Sequence, residues 1–186
     1  MKQNNLVLFR EKLQGYKSKL RRFYYKSLGL TIGTGGSLGA IGCTWPGSVT
    51  IGSFCTIEDG VDFKIAHPFS NDNFVEIGNR TFIGRCSEFQ SNTTIRIGND
   101  CLIASQCIFV DVGHEYSKAG LINAQPVTQG PILIEDDVWI GTGTKILQGV
   151  VIGKGSIVGA GSIVNKSIPE YQIWAGSPAK FIKHRI

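Results

Sequence analysis

Aliphatic residues recur every six positions along most of this chain, and so short a period leaves few possible folds. The longest run is Ile134, Ile140, Ile146, Ile152, Val158 and Val164. Two earlier runs are Ile77, Ile83, Phe89 and Ile95, and then Ile97, Ile103 and Phe109. A fixed short repeat is the signature of a solenoid, in which similar turns of chain stack on one another. The period predicts an all-β solenoid over residues 30–169.

Each hexad has the composition of a short strand followed by a corner. Its first residue is aliphatic and is often followed by glycine, as in Ile51-Gly52 and Ile140-Gly141. One large side chain per strand can point inward, while the corner needs residues that tolerate unusual dihedral angles, such as Gly, Asn and Asp. Three hexads then form one triangular coil, and coils stack at roughly 4.8 Å through parallel strands.

The cysteines behave as small apolar residues within this pattern. Cys55, Cys101 and Cys107 occupy the small inward-facing fifth place of a hexad, whereas Cys43 and Cys86 lie at or near corners. The count is odd and no Cys-x-x-Cys pair is present, which predicts free thiols in a reducing compartment. With no signal-peptide pattern at the N-terminus, we expect a cytoplasmic protein.

The N-terminal segment carries most of the charge. Residues 1–30 hold eight Lys or Arg and one acid, a net +7, whereas the remainder holds eleven against thirteen, a net −2. A near-neutral body argues against a nucleic-acid partner. Residues 1–29 are predicted to form a basic amphipathic helix, with an apolar face at Leu6, Phe9, Leu13, Tyr16, Leu20, Phe23 and Tyr24. We expect it to cover the first coil; the alternative is peripheral attachment to anionic lipid at the inner face of a membrane.

The repeat is interrupted twice and ends at a proline. Residues 64–76 and 110–131 are predicted excursions, and the second contains His114. Aligning Ile77, Ile97 and Ile134 as equivalent positions predicts His114 above Thr94 and below Val151. Residues 170–186, after Pro169, are expected to cap the open end. Because a regular solenoid offers few places for chemistry, the 110–131 loop is the first candidate for a site.

Two stretches around this loop carry a family resemblance. They are Val112-Gly113-His114-Glu115-Tyr116-Ser117 and, after the loop, Ile134-Glu-Asp-Asp-Val-Trp139-Ile140-Gly141. Together with Val158-Gly159-Ala160-Gly161-Ser162-Ile163-Val164 and Ala175-Gly176-Ser177-Pro178-Ala179-Lys180, they closely resemble bacterial hexapeptide-repeat O-acetyltransferases over roughly residues 77–183. The nearest groups are the colanic-acid, capsule and O-antigen enzymes, with the maltose and galactoside acetyltransferases behind them. The resemblance implies a left-handed parallel β-helix.

The resemblance also implies a catalytic role for the histidine. His114 matches the general base that activates a sugar hydroxyl for direct attack on acetyl-CoA, without a covalent enzyme intermediate. Imidazole suits that task because it ordinarily titrates near neutral pH. Asp111 is a candidate to orient the imidazole, as carboxylates do in triads, or else a corner residue. Glu115 is a similar candidate.

Further positions match substrate contacts of the family. Gln106 stands where relatives place an acceptor-binding asparagine, so the identity of the acceptor is open. Tyr116 in the loop is a candidate acceptor contact, and Trp139, outward by the hexad phase, matches a tryptophan near the acyl donor. The resemblance implies a homotrimer in which His114 and Trp139 come from different subunits.

For the donor, the resemblance implies backbone contacts with acetyl-CoA at two successive coils and basic side chains for its phosphates. The matching positions are Gly141, Thr142, Gly159, Ala160, Lys166, Lys180 and Lys183. No metal is expected.

Other functions remain open from the residues alone. An amine acceptor would make the protein an aminosugar N-acetyltransferase, and a serine acceptor would make it a serine-type acetyltransferase. A γ-carbonic-anhydrase-like lyase shares the fold but needs three convergent histidines, and the chain has only His67, His114 and His184. A non-enzymatic β-helix scaffold is the last alternative.

Overall fold

The computed structural model of the chain describes residues 5–186, which form one α-helix, two short 3₁₀ helices at Pro46–Ser48 and Ile122–Ala124, a three-sided prism of stacked coils and a terminal hairpin. Helix α1 spans Asn5–Ser27. Face 1 consists of the parallel strands Thr31–Ile32, Val49–Ile51, Phe74–Ile77, Thr94–Ile97, Ile132–Ile134 and Val151–Ile152. Face 2 consists of Ser37–Leu38, Thr56–Ile57, Phe82–Ile83, Leu102–Ile103, Trp139–Ile140 and Ile157–Val158, continued by Gln172–Gly176 and Ala179–His184. Face 3 consists of Gly42–Cys43, Asp62–Ile65, Glu88–Ser91, Ile108–Val110, Lys145–Leu147 and Ile163–Val164.

The chain turns at three corners in every coil. Corner 1 joins face 1 to face 2, corner 2 joins face 2 to face 3, and corner 3 returns the chain to face 1. Strand pairs stack Ile77 on Ile97 and Ile97 on Ile134, which confirms the alignment predicted from the period. The first excursion is shorter than predicted, since strands extend to Ile65 and resume at Phe74.

The core runs through the prism as columns of stacked apolar side chains. Phe63, Phe89 and Phe109 stack on face 3 with ring centroids 5.1 and 4.7 Å apart. Their stacking follows from the coil spacing, because a parallel in-register ladder repeats each side chain about every 4.8 Å. The six-residue period therefore buries one column of large apolar side chains per face.

The buried cysteines are poorly reactive. All five are free thiols, and Cys55, Cys101 and Cys107 are buried. Burial raises the pKa of both the Cys101 and Cys107 thiols to about 11, so almost none of either is thiolate near neutral pH. Cys86 is exposed at corner 2.

Helix α1 lies across the open end of the first coil, and it does so with its polar side. The Ser18 hydroxyl accepts the Leu38 N–H at 2.8 Å, and Tyr25 donates to the Ile41 carbonyl at 2.7 Å. Arg22 donates to the carbonyls of Gly33 and Gly35. These first-coil groups have no coil beneath them to pair with, so the helix satisfies a sheet edge that would otherwise be open.

At the other end, a hairpin covers the last coil. Gln172–Gly176 pairs in parallel with the last short strand of face 2 through Ile157 and Ile173. Ala179–His184 then returns antiparallel beside it.

Candidate active site

His114 lies on a short hairpin that leaves the prism at corner 3. Val112–His114 pairs antiparallel with Val127–Gln129, with His114 opposite Val127. The prediction that His114 stacks above Thr94 and below Val151 is wrong, because Leu133 pairs with Val151. The loop turns the chain outward at Val112 and places the imidazole, exposed, beyond the regular coils.

Asp111 supports the base of this hairpin and does not bond to His114. Its carboxylate is fully buried and accepts the Asn92 N–H at 2.7 Å, the Thr93 N–H at 2.8 Å and the Thr93 hydroxyl at 2.9 Å. All of these donors belong to corner 3 of the coil below. Of the two roles considered for Asp111, this geometry favours the corner residue over the orienting carboxylate.

Amide side chains brace the loop from two sides. Gln148, on the next coil, is 3.0 Å from the Thr128 hydroxyl, and Gly113 packs so closely on both that an added Cβ would lie 3.0 Å from the Thr128 oxygen. Gln125 holds the loop tip by bonding both the N–H and the carbonyl of Ser117. Beyond His114, Glu115 and Tyr116 are exposed, and the Glu115 N–H bonds the Pro126 carbonyl.

Corners 1 and 2 differ in whether the backbone N–H of their middle residue has a hydrogen-bond acceptor. At corner 1, side chains from the next coil accept it: Ser53 accepts from Thr34, Asn79 from Ser53, Asn99 from Asn79 and Asp136 from Asn99, at 2.7–3.2 Å. At corner 2 the lower coils are capped in a similar way. Asp59 accepts the Ala40 N–H and Glu58 accepts the Arg85 N–H.

The upper coils leave corner 2 open. Within residues 5–186, the N–H groups of Ser105, Thr142 and Ala160 donate to no protein acceptor. The neighbouring Gly141 and Gly159 N–H groups are used by the ladder, bonding the carbonyls of Val158 and Trp174 at 2.8 Å. Thr142 and Ala160 were predicted as donor-binding positions from resemblance. Ser105 was not, although the run Ser105, Thr142, Ala160 in place of Asn or Asp is readable in the sequence.

Gln106 and Trp139 lie on this side of the prism. Gln106 is at corner 2 with φ of 61°, between Cys86 on one coil and Gly143 on the next, which share the left-handed conformation. Trp139 points outward from face 2, as its hexad phase predicted, and 51% of it is exposed. It stacks between Leu102 and Ile157, so face 2 carries an outward apolar stripe.

A single chain keeps these features apart from His114. Trp139 is on face 2, which lies opposite corner 3, where the His114 hairpin leaves the prism. Gln106 lies at corner 2 and is separated from corner 3 by the face 3 strand Ile108–Val110. A strand of that length spans on the order of 10 Å. The residues predicted to act together therefore belong to two separate parts of one chain's surface.

The three predicted phosphate-binding lysines also divide between corners. Lys180 pairs with Ala175 on the terminal hairpin, beside corner 2, and Lys183 pairs with Ile173 on face 2. Lys166 follows the last strand of face 3, Ile163–Val164, towards corner 3. All three are exposed, but one chain does not gather them into a single cluster.

No group of three or more His, Cys, Asp or Glu in the part of the chain that the structure describes is arranged to hold a metal ion. His67 lies in the 66–73 loop, His114 on the corner 3 hairpin and His184 at the end of the terminal hairpin.

Comparison with known proteins supports the predicted fold. Residues 131–166 match the family model described as bacterial transferase hexapeptide (six repeats). Together with the solved structures below, this match confirms the left-handed parallel β-helix predicted from the sequence.

Curated relatives are similar over part of their length. The chain is 32% identical over 117 residues to a Mycobacterium tuberculosis protein named "Probable acetyltransferase", covering 62% of this chain and 39% of that protein. It is 49% identical over 74 residues to 2,3,4,5-tetrahydropyridine-2,6-dicarboxylate N-acetyltransferase of Staphylococcus aureus, covering 40% of this chain and 30% of that protein. The chain thus spans less than half the length of these relatives.

Solved structures are similar over nearly the whole chain. A mutant of AntD, an N-acyltransferase from Bacillus cereus solved with dTDP-4-amino-4,6-dideoxyglucose and coenzyme A, has a TM-score of 0.78 at 24% identity, covering 89% of each chain. A hexapeptide-repeat acetyltransferase from Vibrio cholerae, solved with acetyl coenzyme A, has a TM-score of 0.67 at 25% identity. That match covers 90% of this chain and 78% of the other.

Proposed function

We propose that this protein is an acetyltransferase that moves an acetyl group from acetyl-CoA to a hydroxyl of a sugar, in the biosynthesis of a surface polysaccharide. The observation that carries the proposal is the run of open N–H groups at Ser105, Thr142 and Ala160. A scaffold would gain stability by closing this corner in the way corner 1 is closed. The pantetheine arm of acetyl-CoA carries amide carbonyls that accept such donors, and relatives and structural neighbours are acetyl- or acyltransferases.

The reaction follows from the groups available. His114 takes the proton of the acceptor hydroxyl as its oxygen attacks the thioester carbonyl of acetyl-CoA. The carbonyl oxygen gains negative charge, and the Thr142 N–H is the open donor that can stabilise it, since the Gly141 N–H is used by Val158. When the intermediate collapses, the C–S bond breaks and the imidazolium returns the proton to the CoA thiolate.

Two copies are needed to bring these groups together. His114 on corner 3 and Trp139 on face 2 of one chain point away from each other, so a site using both has to form between chains. A parallel trimer supplies such a site three times over, with the apolar stripe of Leu102, Trp139 and Ile157 at its wall. Lys166 of one chain and Lys180 of the next then flank the same cleft.

Mixing two inactive variants tests this sharing. We expect His114→Gln and Trp139→Ala to be inactive alone. Co-expressed in equal amounts, they should recover about a quarter of the wild-type activity, because one site in four pairs two intact residues. Sedimentation should give three times the 20.2 kDa of the chain. A monomeric mass, or mixtures without recovery, would contradict the shared site.

An aminosugar acceptor is the second candidate, and the likeness to AntD favours it. That neighbour was solved with an amino-deoxyglucose nucleotide, and it superimposes over 89% of this chain. An amine held on the acceptor would meet the same base and the same donor site. The choice between O- and N-acetylation therefore depends on the acceptor.

The test is release of free thiol from acetyl-CoA with acceptors supplied in matched pairs, each a hydroxyl sugar and its amino counterpart at the same carbon, free and nucleotide-linked. We expect turnover with hydroxyl sugars, reduced about 10²- to 10⁴-fold in His114→Gln. Turnover confined to amino sugars selects the second candidate. If His114→Gln keeps the wild-type rate, the general-base assignment fails, and if CoA does not raise the melting temperature, a scaffold role replaces the enzyme.

A further inference from the structure

Helix α1 presents its apolar side to the outside. Phe9, Leu13, Tyr16, Leu20 and Phe23 are between 43% and 77% exposed. At 100° per residue these positions form one stripe about 80° wide, and Ser18, which bonds the first coil, lies on the opposite side of the helix. The amphipathic pattern of the sequence would ordinarily direct this stripe into a protein core. Here the polar side packs on the body and the apolar stripe faces away from it.

Cations border the stripe along both edges. Lys12, Lys19 and Lys26 recur at intervals of seven and line one edge, and Lys17 lies on the other. The only acid of residues 1–30, Glu11, falls on the side of Ser18 rather than on either edge. An apolar stripe with lysines at both edges is the arrangement of helices that lie in the plane of a membrane interface, with their ammonium groups at the level of the headgroups.

We infer that α1 docks this protein on the surface of an anionic lipid bilayer. The apolar stripe enters the boundary between headgroups and acyl chains, and the lysines pair with lipid phosphates. Among the described helices none is long and apolar enough to cross a membrane, so the helix would lie on the surface.

A second copy of the chain is a poorer occupant for the stripe. Two such helices packed stripe to stripe would bring the lysines of one copy beside those of the other, with no acid on the edges to pair with them. Like charges at that distance repel, whereas an anionic bilayer offers a counter-charge along the whole length of both edges.

The orientation of the prism follows from the helix. Because α1 covers the end of the first coil, the stripe faces away from the stacked coils. The coil that bears the His114 hairpin is three rungs further on, about 14 Å at the usual spacing. Docking would therefore hold the corner 3 loop close above the headgroups, and in a parallel trimer three stripes would face the same bilayer.

Vesicle flotation with the full-length protein tests this inference without any acyl transfer. We expect the protein to float with vesicles of equal parts phosphatidylglycerol and phosphatidylcholine, and not with phosphatidylcholine alone. Raising the salt to about 0.5 M should release it, because the lysine contribution is screened. The variant Leu13→Gln/Leu20→Gln should bind at least about tenfold more weakly, since each leucine loses its burial in lipid. Lys12→Gln/Lys19→Gln should lose about tenfold on the anionic vesicles.

Matched controls separate docking from folding. Phe69→Gln removes a side chain that is 90% exposed but lies off the helix, and it should leave flotation unchanged. All variants should keep the wild-type melting temperature, because none of the substituted residues is buried. Wild-type protein that stays at the bottom with anionic vesicles overturns the inference, as does a Leu13→Gln/Leu20→Gln variant that floats normally. If the wild type does not bind vesicles and the Leu13→Gln/Leu20→Gln variant sediments with a lower mass than the wild type, the apolar stripe of α1 is an interface between copies.

Discussion

Corners 1 and 2 are built by the same six-residue repeat, but their backbone N–H groups differ in whether a side chain accepts them. At corner 1, Asn79, Asn99 and Asp136 each accept the middle N–H of the coil before, so the corner is closed by its own side chains. At corner 2, the upper coils carry Ser105, Thr142 and Ala160, and the same N–H groups stay open. The backbone geometry is equivalent, so the difference comes from the identity of one residue per coil. A closed corner adds stability, whereas an open corner offers donors to a ligand.

At corner 3 the Asp111 carboxylate accepts the backbone N–H groups, and replacing Asp111 should have the largest effect on stability. Asp111→Ala leaves the half-buried N–H groups of Asn92 and Thr93 without their acceptor, which should lower the free energy of unfolding by about 3 kcal/mol. Asp111→Asn, which keeps one carbonyl oxygen, should lose less. Urea denaturation measures both.

The same variant tests the two roles considered for Asp111. If the carboxylate only braces the corner, kcat of the folded Asp111→Asn protein should stay within about tenfold of the wild type. A triad-type aspartate replaced by asparagine would lower it by about 10⁴. A loss of that size, with unchanged stability, would mean that Asp111 orients His114 in the working enzyme.

Opening corner 1 should cost less, because only one capping side chain is lost. In Asn99→Ala, the Asn79 N–H loses an acceptor at 2.8 Å and the amide of Asn99 no longer reaches Asp136. We expect about 1 kcal/mol of destabilisation in urea and an unchanged KM for acetyl-CoA. A raised KM would place the donor at corner 1 instead of corner 2.

The period specified most of the fold in advance, because each hexad carries a large side chain inward and the register of stacked coils follows from counting. Counting the period correctly predicted that Ile77, Ile97 and Ile134 stack and that Trp139 points outward. It could not place His114, since a loop outside the repeat has no register to count, and the hairpin depends on contacts with Gln148 from the next coil.

The helix was harder to place for a different reason. Periodicity shows that α1 has an apolar side but not which side meets the body. The first coil presents open carbonyls and N–H groups at its edge, so it binds Ser18, Arg22 and Tyr25 rather than Leu13 or Phe23. Asp111 shows the same limit on a smaller scale, because proximity in sequence to His114 does not determine its hydrogen-bond partners.

Closing corner 2 should raise stability slightly and lower activity. In Ala160→Asn, the new carbonyl can accept the Thr142 N–H as Asn99 accepts that of Asn79. Stability should rise by about 0.5–1 kcal/mol, and kcat should fall about 10²-fold because the oxyanion loses the Thr142 donor. Ala160→Leu, which adds bulk without an acceptor, should show no gain in stability. A stabilised Ala160→Asn enzyme with a normal kcat would exclude Thr142 as the oxyanion donor.

The smallest effect concerns the left-handed residues that both corners use. Cys86 at corner 2 has φ of 56° and an exposed side chain, so Cys86→Gly relieves the steric cost of that conformation. After the greater chain entropy of glycine in the unfolded state is subtracted, we expect the free energy of unfolding to rise by about 0.5 kcal/mol.

Arg80 at corner 1 has φ of 55°, but its guanidinium donates to Asp100 at 2.6 and 2.7 Å. Arg80→Gly should therefore give no net gain, because the exposed ion pair offsets the relief. Equal gains in urea denaturation would mean that the Arg80–Asp100 ion pair adds no stability, and the contrast between the two corners would then rest on the side chains that cap the N–H groups.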